Sequence, residues 1–363
     1  MTDQHPTVPT WIPEPPPPAP RRRLLGPGLV AVLIAAVVLF GGVGLFAARQ
    51  LASTAAGAAS PEAAAAGLLT ALGGQDLDRA ARYLDGEEAL LAATYRDRVT
   101  DALARQVVRS TGPNATPGSG LQLTARDIRF QRVAGLGGAE VAVVELAGGT
   151  LGGRDPRGAK LELPAAEVNR RLSDQTKGAI KALRLVTVRD GDRWRVSLLA
   201  SLAEQGRLAA GAAEPDWGQL AGGGQPAAGG AASPEAAARD LVAAAGRGQQ
   251  AAAAQLSPAE RRVLAAYQPL LHRQEVLPPA AGGVRVQGLQ TRTEQVADGV
   301  ARVQATAGRL VGPMLERPLA LDQAAANGPA PYLVTIRQDG TWYPSLMFTV
   351  TDWMLTRAER ERP

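Results

Sequence analysis

The hydrophobic pattern of this chain changes its period in the same order twice. Helical spacing over 61–107 gives way to strand-like alternation over 121–199, and the same change recurs between 234–268 and 284–350. Apolar residues three or four positions apart predict helices, whereas alternation predicts half-buried strands. The pattern therefore predicts two units, each with helices first and an antiparallel sheet after them, which is an α+β arrangement.

The apolar periods and the turn residues set the predicted boundaries of these elements. In the first unit they predict helices at 61–73, 77–85 and 87–107, and strands at 121–133, 139–147, 159–163, 183–189 and 193–199. In the second unit they predict helices at 234–246, 249–256 and 258–268, and strands at 284–295, 300–307, 316–321, 332–338 and 341–350. Asp-Gly pairs at 190–191, 298–299 and 339–340 are typical of hairpin turns.

Three short matches indicate that one ancestral unit was duplicated. They are SPEAAA at 60–65 and 233–238, LAATY at 91–95 and LAAY at 264–267, and VTVRDGDRW at 186–194 and VTIRQDGTW at 334–342. Alanine runs match easily in an alanine-rich chain, but all three matches occur in the same order. The first match also predicts helix starts, because serine suits the N-cap and proline suits the first helical position.

The composition changes along the chain and divides it into segments. The predicted segments are a proline-rich cytoplasmic tail at 1–23, a transmembrane helix at 24–48, a spacer at 49–59, the first unit at 60–204, a Gly/Ala-rich linker at 205–232, the second unit at 233–356 and a charged tail at 357–363. The linker is expected to be flexible over most of its length. The proline run of the tail favours polyproline II, either as a ligand for an aromatic-lined groove or as a stiff soluble leader.

The apolar run at 24–48 is the basis for predicting where the protein lies in the cell. As a helix it would span roughly 37 Å, enough to cross a hydrocarbon core of about 30 Å. Arg21, Arg22 and Arg23 precede the run, so the positive-inside rule predicts a cytoplasmic N terminus and extracytoplasmic units. The alternative is a signal peptide cleaved among the small residues at 52–60. The length of the run and the tail before it favour an uncleaved single-pass anchor in the cell membrane.

Composition excludes several kinds of chemistry. The 363-residue chain has a formal net charge of +5, no cysteine and two histidines, His5 and His272. Disulfides, thiolate metal sites, cysteine nucleophiles and multi-histidine metal sites are therefore excluded. The sequence has no phosphate-binding glycine motif and no serine-hydrolase elbow, and its arginines form no basic face with aromatic platforms. We therefore expect no catalytic residue, no cofactor, no metal site and no nucleic-acid partner.

The order of elements is similar to the cone of the nuclear-transport-factor-two-like superfamily. The resemblance rests on the Ser-Pro-Glu helix starts and on the closing hairpins at 186–194 and 334–342, since the last two strands of that superfamily often carry an Asp-Gly turn followed by tryptophan. It implies a curved sheet wrapped around a long helix in each unit, with a hollow that serves some members as a ligand or catalytic site. The layout behind one membrane helix resembles exported actinobacterial proteins and Mce-associated membrane proteins.

These patterns favour a non-catalytic envelope protein, held in the lipid bilayer through 24–48, whose units bind protein partners or assist assembly. The alternative function is binding of a lipid or another apolar small molecule in one or both cone pockets. The candidate residues for a pocket or partner surface are Tyr95, Glu145, Trp194, Tyr267, Trp342, Phe348 and Trp353. Glu145 is included because alternation places it on one face with Val141 and Val143. Trp194 and Trp342 also suit the hydrophobic core.

Overall fold

The structure of the chain, a computed structural model, describes residues 57–111, 122–154, 160–222, 229–274, 285–312, 319–320 and 330–360. Over these residues the chain is α+β, with helices and two five-stranded antiparallel sheets. None of the helices described is long and apolar enough to cross a membrane. The proline-rich tail at 1–23 and the membrane helix predicted at 24–48 lie outside the described residues.

The first unit begins with helices and continues into a sheet. Its elements are α1 Pro61–Gly73, α2 Leu77–Ala81, α3 Gly86–Thr111, β1 Gln122–Gly137, β2 Val141–Arg154, β3 Lys160–Pro164, α4 Ala165–Gln175, β4 Arg184–Asp190, β5 Arg193–Ser197, α5 Leu198–Ala210 and α6 Trp217–Leu220. The Ser60 hydroxyl caps α1 by accepting a hydrogen bond from the Ala63 amide at 3.1 Å. This cap satisfies one of the amides that a helix start leaves unpaired, so α1 begins where the sequence predicts.

The second unit repeats this plan. Its elements are α7 Pro234–Ala245, α8 Gln249–Ala253, α9 Pro258–Ala266, α10 Gln268–Gln274, β6 Arg285–Ala297, β7 Val300–Val311, β8 Leu319–Ala320, β9 Tyr332–Gln338, β10 Thr341–Ser345 and α11 Leu346–Arg360. Ser233 caps α7 as Ser60 caps α1, accepting from the Ala236 amide at 3.2 Å. In the hairpin between β9 and β10, Asp339 and Gly340 both have positive φ, the conformation that a type I′ turn requires.

The two sheets share a topology and an irregularity. The strands run in the orders β1-β2-β4-β5 and β6-β7-β9-β10, and the short strands β3 and β8 pair with β2 and β7. The register shifts between Arg126 and Arg129 in β1, and between Gln287 and Gln290 in β6. Because such bulges are specific features of a fold, their recurrence at matching places supports the duplication independently of the sequence matches.

The first sheet is covered on both faces. One face packs against α1 through a core that includes Leu68, Val144 and Leu185. The other face, which carries Val141 and Val143, packs against α5 of its own unit, and α9 and α10 of the second unit pack on α5 and complete the same core. Strands buried on both faces lack a polar side, which explains the continuous apolar run at 141–144.

The second sheet receives a helix from the first unit in return. Leu91, Tyr95 and Val99 of α3 share a core with Val334 and Ile336 of β9 and with Phe348 and Leu355 of α11. The units therefore exchange helices: α3 contributes to the core on the second sheet, while α9 and α10 contribute to a core on the first. The boundary between the units in sequence is consequently not a boundary of packing.

Two predicted strands turn into helices partway along. The strands predicted at 193–199 and 341–350 end at Ser197 and Ser345, where α5 and α11 begin. Each serine accepts a hydrogen bond from the amide three residues later, at 3.2 Å in both units. An N-cap of this kind starts a helix, and the strand prediction was wrong beyond it.

Other predicted boundaries also differ from the structure. The segment 205–232, expected to be mostly flexible, contains the end of α5 and all of α6, and Leu220 of α6 is buried beside Val263 of α9. The solvated tail expected at 357–363 continues α11 as far as Arg360. Helix α4 was not predicted.

Candidate functional site

The exchange of helices brings two aromatic side chains of the repeats into the inter-unit interface. Tyr95 of α3 meets Phe348 of α11 with ring centroids 6.0 Å apart. Tyr267, which follows α9, meets Trp217 of α6 edge to face at 6.3 Å. Tyr95 and Tyr267 occupy matching places in the two repeats, and both are buried. The interface is thus built twice from equivalent tyrosines.

Two buried carboxyl groups, those of Glu88 and Glu260, cap the N-terminal ends of α5 and α11, the helices that follow the last hairpin of each sheet. Glu88 of α3 accepts hydrogen bonds from the Leu198 amide at 2.6 Å, the Leu199 amide at 2.8 Å and the Ser197 hydroxyl at 3.1 Å. A carboxylate at a helix N-terminus satisfies unpaired amides and opposes the positive end of the helix dipole. Glu88 therefore fixes the start of α5 from a position more than a hundred residues earlier in the chain.

Glu260 of α9 does the same for α11. It accepts hydrogen bonds from the Met347 amide at 2.6 Å, the Ser345 hydroxyl at 2.8 Å and the Leu346 amide at 3.1 Å. Two of the three donors are the same residue types as those that bind Glu88: the serine before the helix and the leucine that begins it. The capping geometry is a second structural trace of the duplication.

Glu87 uses the same chemistry to join the two units. It accepts from the Ser257 hydroxyl at 2.6 Å and from the Ala259 amide at 2.8 Å, so it caps α9 of the second unit. Its neighbour Glu88 caps α5 of the first unit. Two consecutive residues of α3 therefore tie helix starts on opposite sides of the unit boundary.

These acids lie close together and away from water, and their pKa values respond to both conditions. Burial, reinforced by the nearby Asp85 carboxylate, raises the pKa of Glu88 to about 8 against the pull of its amide donors. Burial raises the pKa of Glu260 to about 7, with Glu87 adding to the effect. Burial also raises the pKa of Glu87. Removing a carboxylate from water disfavours its charged form.

Raising the pH from 5.5 to 9 is expected to lower the melting temperature of the full-length chain. The folded pKa values of Glu88 and Glu260 lie above the ordinary value of 4.5, so the folded state holds protons that the unfolded state has released. Their stabilising contribution is complete below about pH 4.5 and is lost as the pH rises through about 7 and then about 8. Differential scanning calorimetry across this range measures the effect.

The control for the pH prediction is the double variant Glu88→Gln, Glu260→Gln. It lacks both titrating groups, so its melting temperature should depend less on pH whatever its absolute stability. An equally steep fall in the double variant would assign the pH dependence to other groups.

A second buried site surrounds Asp352 of α11, whose side chain has no exposed surface. The Arg98 guanidinium of α3 donates to it at 2.5 Å, and the Arg302 guanidinium of β7 donates through two nitrogens at 2.8 and 3.0 Å. Arg98 also pairs with Glu359 at 2.8 Å. Asp352 thus links α3 of the first unit to the second sheet by charge-assisted hydrogen bonds.

Glu204 of α5 occupies the matching place in the first unit. It is fully buried, and it accepts two hydrogen bonds of 2.7 Å from Arg207, with Arg184 3.8 Å away. The acid is therefore common to both units, whereas its arginines come from different positions. Of these two acids, only Asp352 receives an arginine from the other unit in the described contacts.

The other residues that the sequence predicted for a pocket or partner surface lie apart from one another in the structure. Trp194 is buried in the core of the first unit, and Trp342 is half-buried in β10, paired with Ala231. Glu145 does share a face with Val141 and Val143, but it accepts from Gln131 at 2.9 Å and lies 3.5 Å from Arg184. Trp353 is exposed on α11. The seven residues do not form one pocket: Tyr95 and Phe348 come together, and the others lie in different cores or surfaces.

The exposed face of α11 is apolar over more than two turns. Leu346, Val350, Trp353 and Met354 are 45%, 54%, 45% and 41% exposed, and their spacing puts them on one side of the helix. Arg357 and Arg360 continue the same side and are exposed, and the Arg357 guanidinium lies 5.7 Å from the Trp353 ring. We call these six residues the α11 face.

Sequence reasoning missed the capping acids, Asp352 and most of the α11 face. Because 341–350 was predicted to be a strand, the helical spacing of Leu346 and Val350 was not recognised. From the sequence alone, Glu87 and Glu88 indicate only acidic residues in the first turn of a helix. Ser345 followed by apolar residues was an available N-cap signal.

Within the described residues, no group of three or more acidic or histidine side chains could hold a metal ion. Comparison with protein-family models, curated proteins and solved structures found no match.

Proposed function

We propose that this chain is a single-pass, extracytoplasmic protein of the cell envelope whose duplicated body is non-catalytic and acts as a binding or assembly platform. The anchor is the apolar run at 24–48, and the body is the pair of interlocked units that begins near Gly57. A platform needs a body that keeps its shape, and the exchanged helices and shared cores supply one.

The use of the buried acids carries the non-catalytic part of the proposal. Among the described residues, the buried carboxylates are Glu87, Glu88, Glu204, Glu260 and Asp352. The oxygens of each accept hydrogen bonds from helix amides, serine hydroxyls or arginine guanidinium groups. A general acid or base must reach a substrate or a water molecule, whereas these groups are committed to holding the fold.

The packing favours a platform over a carrier of apolar ligands. A hollow cone would need one sheet face free of packed side chains. Val143 on one face of β2 lies in the core shared with α9, and Val144 on the other face lies in the core shared with α1. In the first unit, side chains of the protein itself therefore cover both faces of β2, where a ligand in a hollow would lie.

The membrane topology is tested by a fluorescent reporter that matures only in the cytoplasm, fused after Pro363. We expect cells that express the fusion to stay dark. The same reporter fused before Met1 is the control and should be bright. A bright C-terminal fusion would overturn the extracytoplasmic location.

Native mass spectrometry of the full-length chain, released from detergent, tests the platform against the carrier. We expect the mass of the protein without a bound lipid that survives collisional activation. A lipid or other apolar molecule retained reproducibly at one or two copies per chain would instead support ligand carriage.

A further inference from the structure

The α11 face has no exposed apolar counterpart in the first unit. The matching helix, α5, has Leu198, Leu202, Gln205 and Gly206 at the positions of Leu346, Val350, Trp353 and Met354. Leu198 is only 7% exposed, and Leu202 is the one large exposed apolar side chain of the four. In the first unit the matching side is partly covered, because Gly206 lies against the Leu270 side chain of α10, whereas the four apolar side chains of α11 stay exposed.

We propose that the α11 face docks on the extracytoplasmic surface of the lipid bilayer, as a second membrane contact beside the anchor. This inference rests on the proposed anchoring through 24–48. An exposed helix side with tryptophan and aliphatic residues, ending in arginines, has the composition of interfacial helices that lie in the headgroup region. The arginines attract anionic headgroups.

The short connection to the anchor makes a weak contact sufficient. Only residues 49–56 separate the apolar run from Gly57, and eight residues span at most about 28 Å. The body therefore stays within reach of the bilayer, where the local concentration of lipid is far above that of free solution. An intramolecular contact of this kind needs little affinity of its own.

The size of the face argues against a second copy of the chain as its occupant. Four half-exposed side chains present a few hundred Å² in total, whereas a stable protein–protein interface buries about 800 Å² on each partner. A face of this size suits a tethered surface contact better than a dimer held from solution.

The test uses the full-length chain and exploits the absence of cysteine. Val350→Cys places a single thiol in the α11 face, and Leu202→Cys places one at the matching, similarly exposed position of α5. Each variant is labelled with the environment-sensitive dye NBD and reconstituted in nanodiscs of phosphatidylcholine with about 30% phosphatidylglycerol. Half of the samples contain lipids with a doxyl quencher near the headgroup.

We expect the dye at position 350 to emit at shorter wavelength and to be quenched at least twofold more than the dye at position 202. Removing phosphatidylglycerol should reduce that quenching. Equal quenching at both positions, or none at either, overturns the docking proposal. Concentration-dependent disulfide crosslinking between unlabelled Val350→Cys chains, without quenching, would assign the face to a second copy instead.

A second variant guards against an effect of the dye. Met354→Glu puts a charge in the α11 face one turn beyond position 350, where the side chain is exposed and little stability is at stake. It should abolish the extra quenching at position 350 and leave position 202 unchanged. The reporter fused after Pro363 reads membrane topology independently: a dark reporter with unquenched dye refutes docking alone, and a bright reporter refutes the anchoring proposal.

Discussion

The substitution Asp352→Asn is expected to lower the free energy of unfolding by about 3 kcal/mol. Removing one partner of a buried ion pair typically costs 3–5 kcal/mol, because the remaining charge stays away from water. The lower end applies here, since Arg98 and Arg302 keep 27% and 21% of their side-chain surface exposed. Each arginine also retains another carboxylate, Glu359 or Glu294.

Guanidinium unfolding of the full-length chain in detergent, followed by tryptophan fluorescence, measures this loss. The control is Asp97→Asn on α3, whose side chain is 90% exposed and lies 3.6 Å from Arg96. An exposed pair of this kind contributes little, so the control should stay within about 0.5 kcal/mol of the unchanged protein. A similar loss in both variants would show that Asp352 does not hold the two units together.

The substitution Phe348→Ala is expected to cost about 4 kcal/mol, within the range for truncating a fully buried phenylalanine. Phe348 has no exposed surface and packs against Tyr95 of the other unit. The cavity would lie inside a core framed by α3, β9 and α11. Calorimetry and denaturant unfolding of the full-length chain measure the loss.

The shape of the unfolding curve separates this interface role from an ordinary core role. Because Phe348 shares its core with residues of both units, the whole transition should shift to lower denaturant. Val350→Ala, two residues away and exposed, should change stability by less than about 0.5 kcal/mol. If only a second, separate transition moved, the two units would be independent, contrary to the exchange of helices.

The sequence predicted what local patterns specify. The start of α1 and the turn at Asp339-Gly340 carry their signals in adjacent residues, and both lie where they were predicted. The two-unit α+β order also followed from the hydrophobic period. The resemblance to the nuclear-transport-factor-two-like cone stays a prediction.

The strand predictions missed α5 and α11, although Ser197 and Ser345 offered local N-cap signals, because the other residues that fix these helix starts are distant in the sequence. The residues after Ser345 include β-branched Thr349, Val350 and Thr351, which favour a strand locally. The helix start is held by the local cap Ser345 together with Glu260, which binds the first amides from 86 and 87 residues earlier in the chain. Likewise, the run at 141–144 indicated a strand buried on both faces, but no local signal could show that helices of the other unit complete the core on one face.

The exchange of helices has a consequence for how the chain is made. Tyr95 leaves the ribosome about 250 residues before Phe348, its partner in the shared core, which is a delay of roughly 12–50 s at about 5–20 residues per second. The corresponding delay for the first sheet is shorter. About 60 residues separate Ser197, the end of its last strand, from α9, which take roughly 3–12 s to synthesise. During synthesis the N-terminal half therefore exposes apolar surface that only the C-terminal half can cover, and α3 cannot close onto α11 until the end of the second unit has been made.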